Sequence, residues 1–425
     1  MNVVIIGNGI SGITAARHIR KLSNASITVI SEEADYFFSR TALMYIYMGH
    51  MRLQDTQPYE NWFWEKNKIS LLKKRVESVD FTTKKIILQD HSNINYDKLI
   101  IATGSKSNNY NCKGTELEGV RSLYHLQDLT YIDKISAGLN RAVIVGGGLI
   151  GVELAEMFHS RNIPVTFLVR ETSFWGKVLP PEEANMIDRH LFEHHIDLKL
   201  KPELTEIIGE AGKVVAIKAS TDEEISCGFV GITIGVSPNI DFLKFSALKT
   251  NKGILVNEFL ETNIEDVYAI GDCAELENPD QDRKSIEAIW YTGRMMGEVV
   301  AQSICGTKTA YHPGIWFNSA KFFDIEYQVY GKIDPILPEG IETIYWEHKE
   351  GKKSIRINFS SVDKAVIGFN LMGIRFRHNI CEQWIKERKT IDYVVKHLQE
   401  ANFDPEFFKR YETEIQKLYL EKFNQ

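Results

Sequence analysis

The stretch Val3-Val4-Ile5-Ile6-Gly7-Asn8-Gly9-Ile10-Ser11-Gly12 decides the fold. The β-branched run Val3 to Ile6 reads as a buried strand, and the glycines after it follow the pattern Gly-x-Gly-x-x-Gly. Apolar positions at Ala15, Ala16, Ile19 and Leu22 then recur at helical spacing. A second apolar run covers Ile27 to Ile30, and Glu32 comes just after it. Strand, glycine turn, helix, strand, acid is the order of a dinucleotide-binding βαβ unit. Gly7 permits the tight turn, Gly9 lets the backbone approach a pyrophosphate, and Gly12 permits close packing of helix on strand. The helix start turns unpaired N–H groups and a positive dipole end toward the phosphates. Glu32, about 20 residues past the last glycine, is placed to accept from ribose hydroxyls.

The same order recurs. Ala142 to Val145 is apolar and Gly146-Gly147-Gly148-Leu149-Ile150-Gly151 follows. A helical stretch runs through Leu154, Ala155 and Phe158, and the strand Val165 to Val169 comes next. Gly146, Gly148 and Gly151 repeat the roles of the first glycine set, so the chain carries a duplicated unit and two dinucleotide sites. Glu153, just inside the second helix, is the candidate catalytic group near a nicotinamide. Glu156 reads as a solvated helix glutamate. Two further buried strands end in turns, Leu99 to Ile101 before Ala102-Thr103-Gly104, and Val267 to Ile270 before Gly271-Asp272.

Beyond about Tyr311 the texture changes to alternating, aromatic-rich strands such as Ala320 to Val329 and Ser354 to Phe359. Thr390 reads as an N-cap before Ile391, Val394, Val395 and Leu398. Asp404-Pro405 reads as an N-cap and first helical residue before Phe408, Tyr411, Ile415 and Leu418. Spacing of three and four along that tail suits a core or dimer contact better than a bilayer anchor, because its flanks mix both charge signs.

The 425 residues are 44% hydrophobic and 25% charged, an ordinary composition for two or three globular domains. A net charge of -7 with scattered signs argues against nucleic acid as a partner. No apolar run reaches the roughly 18 residues of a spanning helix, and the N-terminus reads as a strand and not a signal peptide. The five cysteines, Cys112, Cys227, Cys273, Cys305 and Cys381, form no CxxC and no metal-ligand spacing. They read as small buried hydrophobes suited to a reducing cytoplasm, with no metal expected.

The order GNGISG, ATGS, GGGLIG, TIGVSPN, AIGDCAE resembles the FAD-dependent pyridine nucleotide reductases over roughly the first 330 residues. The pattern is similar to the branches containing rubredoxin reductase, the ferredoxin reductases of oxygenase systems, apoptosis-inducing factor and the flavin domain of NADH-dependent nitrite reductase. The resemblance implies that Gly271-Asp272 binds the FAD ribityl chain and that Ala102-Thr103-Gly104 belongs to the flavin site. It implies that Tyr36 to Leu43 forms the loop under the flavin, with Arg40 on the phosphates and Thr41 where a proline is usual. It places Val76 as a main-chain clasp on adenine and Gly235 in the turn closing the nicotinamide domain. A helix around Glu287 to Arg294, with Trp290, would aim its N-terminus at the flavin N1–C2 edge. A lysine some relatives keep near flavin N5 falls at about Tyr45. Met44 stands where peroxide-reducing relatives keep a cysteine, and no cysteine precedes Cys112, so no redox cysteine is expected beside the flavin. The family's acid after Val165-Thr166-Phe167-Leu168 falls at Val169. Arg170 would meet a 2′-phosphate and Glu171 a 2′-hydroxyl, which leaves NADH and NADPH both open.

The expected fold is α/β, with two Rossmann-like dinucleotide-binding domains and a C-terminal α+β domain. The FAD domain is split (1–113 and 249–313), the NAD(P)H domain is inserted (114–248), and 314–425 forms the third, with its helical tail. The expected activity is hydride transfer from NAD(P)H to FAD, then electron transfer to an external acceptor such as a ferredoxin or rubredoxin. A peripheral NADH:quinone reductase and a redox-controlled flavin scaffold are the alternatives, and a homodimer is an assembly the aromatic tail would serve.

Overall fold

The computed structural model describes residues 1–280, 283–404, 406 and 409–423. Contacts divide the chain into two compact units, one of Met1–Tyr110, Arg121–Gly138 and Ile234–Pro313, the other of Asn111–Val120, Leu139–Thr233 and Gly314–Gln425.

The first unit is built on a five-stranded parallel sheet. Its order is Val267–Ala269, Lys98–Ile101, Asn2–Ile6, Ser26–Ser31, Ile69–Lys73. The quoted strand is central, and Val3, Val4 and Ile5 are wholly buried, as expected of a parallel strand covered on both faces. The helix Ile10–Leu22 lies against the late helix Trp290–Ile304. Glycines make that approach possible: a Cβ on Gly297 would stand 2.6 Å from the Ser11 carbonyl oxygen, and one on Gly293 2.4 Å from Ser11 Oγ. A larger residue at Gly297 would meet backbone and force the two helices apart, whereas one at Gly293 would first displace the Ser11 hydroxyl.

The second unit contains a sheet ordered Asp197–Leu200, Val165–Val169, Ala142–Val145, Phe229–Ile232, Val120–Arg121. Its central strands are parallel and their apolar side chains are buried. The same unit holds an antiparallel sheet ordered Phe317–Phe322, Ile325–Gly331, Val366–Met372, Ser354–Ser360, Ile341–Glu347, with the helices His378–Lys386, Ile391–Lys396 and Glu412–Phe423. Arg356 joins the two parts of this unit. Buried on its strand, it forms a two-pronged ion pair with the wholly buried Glu183 (2.8 and 2.9 Å), and Asn370 donates to the same carboxylate at 3.0 Å.

Several local readings are corrected. Ala320 to Val329 is not one strand but a hairpin that turns at Phe323-Asp324, with Phe323 at φ 54°. A turn without glycine or proline leaves no compositional mark. The helix expected around Glu287 begins at Trp290, and Glu287 instead pairs with Arg283 at 2.5 Å. The last helix begins at Glu412, well past Asp404; Pro405, Phe407 and Phe408 lie outside the described residues. Thr390 does cap its helix, accepting from the Tyr393 N–H. The tail's apolar stripe belongs to the core of this unit: Tyr411, Ile415 and Tyr419 are buried, and Leu418 packs beside them. Trp346 donates to Glu414 at 3.1 Å and Tyr419 to Asp392 at 2.6 Å. Cys227, Cys273 and Cys381 are buried as expected, whereas Cys112 and Cys305 are only half-buried; all five are free thiols. No helix among the described residues is long and apolar enough to cross a membrane.

Candidate functional site

The first glycine turn has the geometry its residue types require. Gly7 sits at φ 117°, closed to residues with a side chain, and a Cβ there would lie 2.0 Å from the Ala102 carbonyl oxygen. A Cβ on Gly12 would lie 2.1 Å from the Gly7 oxygen. Gly9 differs from both: a Cβ there would meet nothing within 4 Å. It is the N-cap of Ile10–Leu22, no side chain caps that helix, and its first turn holds no acid. Free N–H groups, a positive dipole end and open space at Gly9 therefore coincide, which fits a phosphate group.

Glu32 lies exposed just past the second strand, 3.7 Å from Arg75 and hence beside Val76, the first residue of Val76–Asp80. Ala102 donates its N–H to the Ile6 carbonyl at 2.8 Å. Thr103 Oγ1 donates to the Asn239 carbonyl at 2.7 Å, and Gly104, at φ 66°, accepts from the Asn239 N–H at 2.9 Å. Gly235, at φ 98°, accepts from the Asn108 N–H at 3.1 Å and so falls in this first unit. Gly271, at φ 72°, meets Ser11: a Cβ there would come within 2.3 Å of Ser11 Oγ. Trp290 opens its helix with its ring edge-on to Tyr291 at 5.4 Å.

Asp272 lies deep in the unit yet keeps part of its surface accessible. Burial raises its pKa, opposed by a 3.0 Å hydrogen bond from Ser105 Oγ and by the Arg40 charge. Around it runs a polar chain that the sequence did not disclose. Ser105 N–H donates to Tyr124 Oη at 3.0 Å, and the Arg40 guanidinium lies over the Tyr124 ring at 4.7 Å. Arg40 also donates to the Tyr124 carbonyl and forms a bidentate pair with Glu33 at 2.9 and 2.5 Å. Burial pushes Glu33 upward, but hydrogen bonds with His125 and Arg40, together with the Arg40 charge, outweigh it and hold the carboxyl down at about 2. Glu33 is thus a permanent anion that anchors Arg40, while its neighbour Glu32 stays at the surface.

The second turn repeats the first. Gly146 is at φ 110°, and a Cβ on Gly151 would come within 2.8 Å of its carbonyl oxygen. Gly148 is the uncapped N-cap of Leu149–Ser160, and a Cβ there would find its nearest neighbour, the Thr233 oxygen, at 3.7 Å. Arg170 and Glu171 face each other at 3.2 Å, and Lys177, which sequence reasoning missed, reaches the same Glu171 oxygen at 2.7 Å. Burial first, and then the Glu156 charge, raise the Glu153 carboxyl to about 7. Glu156 itself overturns its expectation as a solvated residue. It is buried and paired at 2.6 Å with Lys321 of the antiparallel sheet, a partner 165 residues away.

Residues 1–301 match the sequence model of the family described as pyridine nucleotide-disulphide oxidoreductase. The rubredoxin-NAD(+) reductase of Pseudomonas putida is 28% identical over 312 residues, 73% of this chain and 81% of that one. The ferredoxin–NAD(P)(+) reductase of a Sphingomonas species is 29% identical over 343 residues, 78% of this chain and 81% of the relative. Among solved structures, the NAD-dependent persulfide reductase from A. fulgidus superposes with a TM-score of 0.84 at 24% identity, covering 93% of this chain and 79% of that chain. At that identity the likeness speaks to the fold alone.

Proposed function

Because the chain belongs to the pyridine nucleotide-disulphide oxidoreductase family, a family of oxidoreductases that use a flavin and NAD(P)H, we propose that it holds FAD in 1–113 and 249–313 and NADH or NADPH in 114–248. The activity would be to pass electrons from the nicotinamide through the flavin to a small electron-transfer protein of the ferredoxin or rubredoxin kind. One observation carries the reading: two helices start on a glycine N-cap with no side-chain cap, at Gly9 and Gly148, and a Cβ on either would meet nothing closer than 3.7 Å, which leaves the backbone N–H groups open to a phosphate. The acceptor class is supported by the named relatives. The five free thiols suit a reducing compartment, the cytoplasm.

When bound, a flavin accepts a hydride equivalent and releases electrons singly or in pairs. The protein's own residues supply the rest. Gly9 and the N–H groups of Ile10–Leu22 hold pyrophosphate, Glu32 and Val76 the adenosine end, and Asp272 accepts from a polyol hydroxyl. Arg40 offers the phosphates a cation whose position Glu33 fixes. The uncapped start of the Trp290 helix would supply a positive dipole end to negative charge on the bound ring. Gly148 and its helix hold the second pyrophosphate, with Arg170, Glu171 and Lys177 at the ribose and Glu153 beside the nicotinamide. Met44 stands where some relatives keep a cysteine and no cysteine precedes Cys112 in the sequence, so the transfer is expected to proceed without a thiol.

The test is turnover of the purified yellow protein with NADH and NADPH, each against ferredoxin, rubredoxin, a soluble quinone and dichlorophenolindophenol. The expected result is bound FAD and protein-acceptor reduction by one or both nucleotides. Protein isolated without flavin and unable to take it up would refute the cofactor reading. Turnover with quinone alone would refute the acceptor.

A further inference from the structure

Outside the nucleotide sites, three side chains in the second unit converge on one point. His190 and His194, four residues apart at the end of the helix Pro181–Glu193, turn to the same side of it. Opposite them stands Asp324, in the hairpin turn after Phe322. Its Oδ1 lies 2.5 Å from His190 Nε2 and 3.0 Å from His194 Nε2. One ligand atom from each of the three residues lies within 4.8 Å of the other two. We propose that His190, His194 and Asp324 form a binding site for a divalent first-row transition ion, with Zn2+ as the reference ligand.

A second observation points the same way. The His190 side chain is 1% exposed, and neither ring nitrogen makes an aligned hydrogen bond among the described residues. A buried imidazole left in this state loses the free energy of an unmade bond. Its Nε2 faces the Asp324 oxygen at 2.5 Å without hydrogen-bond alignment, and an ion held by both at about 2 Å would draw the exposed Asp324 carboxylate back to a ligand–ligand spacing of roughly 3.3 Å. The surroundings fix the ligands. The Phe323 ring stacks on His194 at 4.4 Å, and His159 meets His194 edge-on at 5.4 Å. The positive φ of Phe323 carries the chain round so that Asp324 faces the helix. Lys352 Nζ lies 3.5 Å from Asp324 Oδ2, the oxygen the histidines do not use, and 3.5 Å from Glu193. Two imidazoles and a carboxylate suit zinc, cobalt or nickel in preference to calcium or magnesium. With His194 27% and Asp324 58% exposed, the ion keeps water in its remaining positions.

The experiment titrates Zn2+ and Co2+ into chelator-stripped, flavin-loaded full-length protein, followed by calorimetry and by the ligand-field bands of bound Co2+. The variants are His194→Gln and Asp324→Asn, both at accessible positions that should fold, with His348→Gln as a control elsewhere in the unit. The expected result is one saturable site in wild type and control, weakened at least ~10-fold in each variant, the loss that removing even an outer-shell partner can bring. Zinc should raise the unfolding temperature of the wild type and not of the variants. Absence of one-to-one binding, or equal affinity in wild type and both variants, would overturn the site.

Discussion

Replacing Glu153 with glutamine tests whether the second motif holds a carboxyl tuned to neutral pH. The native group ionises at about 7 against an ordinary 4.5. At 1.36 kcal/mol per pKa unit that gap is on the order of 3 kcal/mol, an upper figure because the side chain keeps some solvent access. The sign follows from linkage. The folded pKa is raised, so the unfolded chain gives up its proton first. Below 4.5 both states are protonated and nothing is lost; stability then falls as pH rises to about 7, above which the full cost applies. Glu153→Gln removes this dependence. The expected outcome is that the variant gains stability over the wild type by up to roughly 3 kcal/mol between pH 4.5 and pH 8, measured by urea unfolding of flavin-loaded protein without nucleotide. The rate of reduction by NAD(P)H should also lose a titration near pH 7. A wild type and variant with parallel stability profiles across that window would refute the assigned environment of Glu153.

Gly9→Val and Gly12→Val should separate ligand space from packing space. The first meets open space and should fold with weakened flavin retention, whereas the second collides with the Gly7 carbonyl and should fold poorly; circular dichroism and flavin absorbance distinguish them, and equal behaviour would contradict the geometry. Gly148→Val should keep its flavin and lose rapid reduction by NAD(P)H in stopped flow. Asp272→Ala should weaken flavin retention by about 1–3 kcal/mol, the cost of an unmade buried hydrogen bond, read as flavin released on dilution. Cys273→Ser and Cys112→Ser should both reduce acceptor normally, with no long-wavelength thiolate band on titration. Deleting residues from Glu412 onward removes the buried Ile415 and Tyr419, together worth about 3–6 kcal/mol, so the truncated chain should lose solubility and melt lower; an unchanged melting temperature would place the tail outside the core.

Both nucleotide turns were legible in the sequence because they are backbone requirements. Gly7 and Gly146 sit at positive φ, and Gly12 and Gly151 leave no room for a Cβ. Few other solutions exist, so residue type reports geometry directly. Side-chain partnerships were not legible, since nothing local marks them. Glu32 and Glu33 are adjacent acids, and only the packing of His125 and Leu126 shows that Glu33 is the one drawn inward. Glu156 looked solvated because its cation, Lys321, lies 165 residues on. The hairpin at Phe323 was hidden by a turn of ordinary residues, and with it went the approach of Asp324 to two histidines. The helix-start signature at Asp404-Pro405 runs into residues outside those described, and the last described helix starts at Glu412.

The interlock of Ser11 with Gly271, Gly293 and Gly297 sets an order in time. The first βαβ motif leaves the ribosome well before its partners, since the edge strand Val267–Ala269 and the helix against which Ile10–Leu22 packs are encoded more than 200 residues later. At roughly 5–20 residues per second, the nascent motif waits on the order of tens of seconds for its partners. During that wait its apolar helix face and one sheet edge are uncovered. The parallel sheet of the second unit, whose four long strands span Ala142 to Ile232, can close sooner. This βαβ motif, made before the elements that cover it, is therefore among the last parts of its unit to become native, and it is there that the nascent chain most needs the shelter that chaperones give.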